Sequence, residues 1–131
     1  MKKSISIFTL AVALGFAVSS CNTAEENQAP QIDIIKPTAA DNPHMSGMPI
    51  SIQVEVSDDE QLHDTEISIV RAHDSAEVYH QYTHTHEAQF TINEDTVLTT
   101  SMHSDFTITV TAEDHDGEVT TASSTFHMHP M

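Results

Sequence analysis

Apolar and polar residues alternate along much of the chain, which is the pattern of strands that bury one face. Ile50, Ile52, Val54 and Val56 alternate with polar neighbours, and residues 106–112 repeat the arrangement. This period of two predicts half-buried antiparallel strands. The predicted strands cover residues 32–36, 50–57, 62–70, 77–83, 87–93, 106–112 and 119–128.

About seven short strands in roughly a hundred residues fit one all-β domain, an immunoglobulin-like or fibronectin-like antiparallel β-sandwich. Segments rich in turn-forming residues separate the strands, at positions 37–47, 58–60, 73–75 and 114–117. No segment after the first twenty residues has a helical apolar repeat. We therefore expect the sandwich to span residues 31–131.

The first twenty residues, MKKSISIFTLAVALGFAVSS, have a different character. Lys2 and Lys3 precede a short apolar stretch that ends in small residues. The stretch is shorter than the about 20 residues that a membrane helix needs. Residues 1–20 are therefore predicted to be a secretory signal peptide.

The signal ends in Val18-Ser19-Ser20-Cys21, which resembles the lipobox of bacterial lipoproteins. The resemblance implies that the Cys21 thiol carries lipid and that the mature chain begins there. Cys21 is the only cysteine, so no intrachain disulfide can form. Residues 22–30 are polar and acidic, so 21–30 are predicted to be a lipid-anchored flexible tether.

Two segments of the predicted sandwich also resemble known domains. Residues 109–117, TVTAEDHDG, resemble the penultimate strand and hairpin turn of bacterial immunoglobulin-like and fibronectin-like domains. Residues 57–62 resemble the turn between their second and third strands. With the lipobox, the chain resembles histidine-rich, immunoglobulin-like bacterial lipoproteins of largely uncharacterised function. Because Asn22 replaces the aspartate of an inner-membrane retention signal, the resemblance implies an outer-membrane anchor, facing periplasm or cell surface.

Composition narrows the choice of partners. The chain has 20 acidic and 4 basic residues, for a formal net charge of −16. Removal of Lys2 and Lys3 with the signal would take this to −18. Nucleic-acid binding is excluded, because phosphate contacts need clustered Lys and Arg. The lipid on Cys21 would then be the contact with the membrane.

Ten histidines in so small a domain require an explanation. From the predicted strand order, one end of the sandwich should hold His44, His73, His103, His127 and His129. The other end should hold His63 and His115, among acidic turn residues. His80, His84 and His86 lie in the middle of the chain, where the strand boundaries are hardest to place.

The His84-Thr85-His86 motif is the most specific of these signals. Side chains two apart on a strand share a face, so both imidazoles can approach one ion. His80 has the same parity and is predicted to join them. A metal needs three or four ligands, so neighbouring loops must supply others. The candidate additional ligands are His63, His44 and His103, together with acidic side chains at the turns.

The five methionines beyond the signal all lie within four residues of a histidine. Thioether with imidazole suits copper(I), whereas imidazole with carboxylate suits zinc. The expected cofactor is therefore zinc or copper, with zinc favoured. The methionines are Met45, Met48, Met102, Met128 and Met131.

No catalytic motif accompanies the histidines. The single cysteine is assigned to lipid, and the chain has no G-x-S-x-G element and only three glycines. We therefore expect a binding protein rather than an enzyme. The leading hypothesis is an outer-membrane-anchored lipoprotein that captures, buffers or delivers a transition metal. An immunoglobulin-like module docking on an outer-membrane protein is the alternative, and a histidine pH switch is a third.

Overall fold

Eight β-strands and one 3₁₀ turn make up residues 26–131, which are the residues that the computed structural model describes. The 3₁₀ turn is Ala39–Asp41. The strands are β1 (Gln31–Lys36), β2 (His44–Met45), β3 (Pro49–Ser57), β4 (Leu62–Arg71), β5 (Ala76–His84), β6 (Gln89–Val97), β7 (Ser104–Asp114) and β8 (Val119–His129).

These strands form two sheets that face each other across one core. The smaller sheet has the order β1-β3-β6 and the larger has the order β2-β8-β7-β4-β5. All pairs are antiparallel except β2 with β8. Neighbours along the chain often lie in opposite sheets, which is the arrangement of immunoglobulin-like sandwiches. The predicted fold class is confirmed.

The core is built from the alternating positions that the sequence pattern identified. Ile52, Val54 and Val56 on β3 are fully buried, and the alternate residues of β7 pack against them from the other sheet. The rings of Phe106 and Phe126 stack with centroids 5.5 Å apart. Apolar burial is the main favourable contribution to folding. The sandwich is therefore stabilised chiefly by these buried side chains.

The largest differences from the seven predicted strands are an added strand, β2, and a longer β6. The added strand β2 has two residues, too few for any periodic signal, and it forms by pairing with the end of β8. Strand β6 continues to Val97 instead of ending at residue 93. It does so because β3 offers partners along its whole length, up to Pro49 opposite Val97. Pairing between distant segments decided both boundaries.

The sandwich has two ends, which we name after the ends of the described chain. The N-terminal end holds the turns 58–61, 85–88 and 115–118, and the C-terminal end holds the segments 37–48, 72–75 and 98–103 with the last residues. The predicted assignment of loops to two ends is confirmed by this topology.

The start of the described chain lies against the N-terminal end. The Asn27 side-chain amide donates to Asp114 Oδ2 at 2.6 Å, and the Gln28 N–H donates to Asp59 Oδ1 at 3.3 Å. Pro30 is buried. The predicted signal peptide and Cys21 lie outside the described residues. Within residues 26–131 no helix has the length and apolar character to cross a membrane.

Candidate metal centre

Four histidines from different segments converge at the N-terminal end. His63 is near the start of β4, His84 ends β5, His86 follows in the next loop and His115 lies in the turn between β7 and β8. Their ring centroids are 4.6 Å apart for His63 and His84, and 4.8 Å for His84 and His86. His115 lies 5.7 Å from His63 and 6.0 Å from His86. We call this set the four-histidine cluster.

Backbone hydrogen bonds between the turns fix this convergence. The Thr85 N–H donates to the carbonyl of His63 at 2.9 Å. The His115 N–H donates to the carbonyl of Gln61 at 3.0 Å. The segments that carry His84, His86 and His115 are thereby tied to the start of β4. Such main-chain bonds hold the loops in place independently of the side chains they present.

Asp64 lies beneath two of the imidazoles. Its carboxylate accepts hydrogen bonds from the Tyr82 hydroxyl at 2.5 Å and from His84 Nδ1 at 2.7 Å. It also lies 3.2 Å from His63 Nδ1. The Tyr82 hydroxyl first, and then the His84 ring, lower the pKa of Asp64 below its ordinary value. A carboxylate that stays ionised next to imidazoles favours a cation at this position.

The ligand atoms are close enough to share one ion after small side-chain movements. The nitrogens of His63 and His84 and a carboxylate oxygen of Asp64 all lie within 4.8 Å of one another. Nitrogen ligands bound to zinc at about 2.0–2.1 Å are about 3.3 Å apart in a tetrahedron. The half-exposed side chains of His63 and His84 can rotate to shorten the present separations to this value. Imidazole and carboxylate together are a donor set for zinc and related divalent ions.

The predicted ligands divide between the two ends of the sandwich. His84 and His86 come together as expected, and His63 joins them as one of the proposed partners. His80 does not join, because its Nε2 faces Glu66 at 2.8 Å farther along the sheet. His80 lies on the same face of β5 as His84, as predicted. It is four residues away from the strand end at His84, however, so it does not reach the cluster.

His44 and His103 lie at the C-terminal end and cannot complete the four-histidine cluster. The His44 ring packs against Phe126, with centroids 5.3 Å apart. Burial lowers the pKa of His44, and nearby Asp41 opposes this shift. His103 lies beside His127 and His129.

His115 completes the cluster and was not among the predicted ligands. The sequence placed it at the same end as His63, in an acidic hairpin turn, but contained no spacing that linked it to His84. His115 comes close to His63 and His86 only when β4 pairs with both β5 and β7. A search for histidines at the turns flanking one central strand would have found it.

Solved structures similar to this chain include murine CRIg, with 11% sequence identity and a TM-score of 0.43 over 79% of this chain and 99% of that chain. Another is Spo0M, a sporulation control protein from Bacillus subtilis, with 12% identity and a TM-score of 0.41. That match covers 77% of this chain and 49% of that chain. No protein-family model and no curated protein matches the sequence. The assignment as an immunoglobulin-like β-sandwich therefore rests on the strand order.

Proposed function

We propose that this domain binds one divalent transition-metal ion, zinc in preference to copper, at the four-histidine cluster. The observation that supports the proposal is the convergence of four imidazoles, two of which, His63 and His84, lie beside the ionised Asp64 carboxylate. Unprotonated imidazole is the common metal ligand of proteins, and three or four such groups complete a zinc site. None of these four histidines has a methionine within four residues, so nothing nearby favours copper(I).

The position of the cluster indicates that the ion is cargo and not a structural support. The side chains of His63 and His84 are 36% and 46% exposed, so an ion there is open to solvent and to a partner. The apolar core between the sheets consists of aliphatic and aromatic side chains and includes none of these histidines. Folding therefore has no need of the metal, in contrast to small domains that fold around zinc. An exchangeable site suits capture, buffering or delivery, and we propose no catalytic role.

The cellular setting of this function is also a proposal. The signal sequence and the Cys21 lipobox support an outer-membrane anchor, with the domain in the periplasm or at the cell surface. The strongly acidic composition would raise the local concentration of cations around the site. Lipid-anchored metal capture in the envelope is the combined function that these features support.

The test is a calorimetric titration of the full chain, purified without a polyhistidine tag, with zinc, copper(II) and nickel. Zinc is expected to bind with about one equivalent at the N-terminal end. The double variant His84→Ala/His86→Ala should weaken this binding at least about 100-fold, since loss of even an outer-shell partner costs about 10- to 100-fold. His80→Ala is the matched control, since His80 lies on the same strand but faces Glu66.

Two outcomes would contradict the proposal. One is the lack of any metal binding tighter than roughly 100 µM, a weak affinity of about −5.5 kcal/mol. The other is an equal loss of zinc affinity in the His80→Ala control and in the double variant. Circular dichroism and thermal unfolding of each variant would show that the sandwich is intact.

A protein-interaction role is the second candidate, and the edges of the larger sheet favour it. Among the described residues, β5 pairs only with β4, which leaves its other side open over nine residues. Tyr82 on this strand is 59% exposed. An open strand edge can add a strand from a partner. Capture of an outer-membrane protein equally well with and without a chelator would favour this role over metal binding.

A further inference from the structure

A second group of histidines converges at the C-terminal end of the sandwich. His127 and His129 lie on β8, and His103 lies in the segment just before β7. The ring centroids of His103 and His129 are 4.6 Å apart, and those of His127 and His129 are 5.2 Å apart. One nitrogen from each ring lies within 4.8 Å of the other two. We call this set the trihistidine cluster.

The period of strand β8 places two of these rings on one surface. Phe126 and Met128 point into the core and are fully buried, so His127 and His129 point outward. Hydrogen bonds to neighbouring segments fix the end of the strand. The His127 N–H donates to Asn42 Oδ1 at 2.9 Å, and the His129 carbonyl accepts from the Ser46 N–H at 2.8 Å. The two imidazoles are therefore attached to a rigid backbone.

Asp105 orients the central ring of the trihistidine cluster. It is paired with His127 across β7 and β8, and its Oδ1 lies 2.7 Å from His127 Nδ1. The other ring nitrogen, Nε2, then faces His103 Nδ1 at 3.4 Å. A carboxylate behind one nitrogen of an imidazole is the arrangement that orients histidine ligands toward a metal. The geometry thus turns His127 Nε2 toward the space between the three rings.

Among residues 26–131, the exposed methionine side chains all lie at the C-terminal end of the sandwich. Met45 is the register partner of His129 in the parallel pair of β2 and β8, so both side chains lie on the same face. Met102 precedes His103 in the chain. Met45 and Met102 are 42% and 50% exposed, so their thioethers are accessible to an ion at this end. Thioether is a soft ligand that favours copper(I) over zinc.

We propose that the trihistidine cluster is a second metal site and that it takes copper(I), with Met45 and Met102 as nearby soft ligands. The site does not depend on the four-histidine cluster. Strand β7 runs its full 11 residues between the two ends, which separates them by roughly 34 Å at about 3.4 Å per residue. The protein would therefore hold two different ions independently, one at each end.

The test measures copper(I) affinity of the full chain under anaerobic conditions, by competition with a chromophoric copper(I) chelator. The variant His103→Ala/His129→Ala is expected to lose at least 30-fold in copper(I) affinity and to keep its zinc affinity at the other end. Met45→Leu/Met102→Leu should weaken copper(I) about tenfold and leave copper(II) binding unchanged. His73→Ala is the control, because His73 Nδ1 bonds to Ser104 Oγ at the same end.

The outcomes separate this proposal from the previous one. Unchanged copper(I) affinity in His103→Ala/His129→Ala would overturn the second site, as would an equal loss in His73→Ala. Zinc bound more tightly than copper(I) at this end would overturn the assignment of the metal. Loss of zinc binding in His84→Ala/His86→Ala with full retention of copper(I) binding supports two independent sites. Failure of zinc to bind anywhere would contradict only the proposed function.

Discussion

Replacement of Asp114 by alanine is expected to destabilise the sandwich by removing the group that holds the β7–β8 turn. The buried Asp114 carboxylate accepts hydrogen bonds from the N–H groups of Asp116 and Glu118, at 2.9 and 2.8 Å. It also accepts one from the Asn27 side-chain amide, at 2.6 Å. The two freed main-chain donors can partly regain water, because the turn lies at the surface.

The expected cost follows from these bonds. Hydrogen bonds to a charged group contribute about 1.5–3 kcal/mol each, and partial rehydration leaves a net loss of about 2–3 kcal/mol for Asp114→Ala. For a domain of this size, that corresponds to a fall in melting temperature of about 10–20 °C. Urea unfolding followed by circular dichroism measures the change in free energy. Asp116→Ala is the control, because among residues 26–131 the exposed Asp116 side chain accepts no hydrogen bond.

The stability difference between wild type and Asp114→Ala should depend on pH and should decrease on acidification. Burial alone would raise the pKa of Asp114, but the hydrogen bonds from Asn27 and the turn amides outweigh it and lower the pKa below 3.8. A lowered pKa in the folded state stabilises the protein above the unfolded pKa, and this contribution is lost as pH falls through the folded value. The difference between wild type and Asp114→Ala should therefore be full at pH 6 and shrink below about pH 4.

Two results would refute this reasoning about Asp114. One is a destabilisation under about 0.5 kcal/mol, the range of ordinary surface substitutions. The other is a difference between wild type and Asp114→Ala that grows on acidification. Asp114→Asn separates charge from hydrogen bonding, because the amide keeps one acceptor for the turn but cannot titrate. It should lie between wild type and Asp114→Ala in stability.

Two further substitutions have definite expected outcomes. Arg71→Gln should raise the pKa of Asp74 from about 2 toward its ordinary 3.8, because the guanidinium donates to both carboxylate oxygens. An NMR titration of the Asp74 carboxyl measures the pKa, and an unchanged value would contradict the prediction. Phe126→Ala should lower the free energy of unfolding, measured in urea, by about 3–5 kcal/mol, since the buried ring stacks on Phe106 and its removal leaves a cavity. Replacement of the exposed Val119 by alanine should lower it far less, and equal losses would contradict the assigned core.

The sequence alone determined the fold class and most of the strands, because burial of one strand face leaves a period of two that needs no distant information. It also identified the His84-Thr85-His86 motif, since two imidazoles two residues apart are neighbours in almost any extended backbone. The assignment of turns to the two ends followed from strand order. These features depend on local geometry, and the structure bears out the fold and the placement of the turns.

Only the tertiary structure decided which histidines meet. His115 and His86 are far apart in the chain and become neighbours because β4 pairs with β5 on one side and β7 on the other. His80 lies on the same face of β5 as His84, but the strand continues four residues beyond it before it ends at His84. His80 therefore contacts Glu66 and not the cluster. His103 belongs to the opposite end because β7 extends the full length of the sheet between the clusters. Pairing register and strand length depend on the whole sheet, and a local pattern does not contain them.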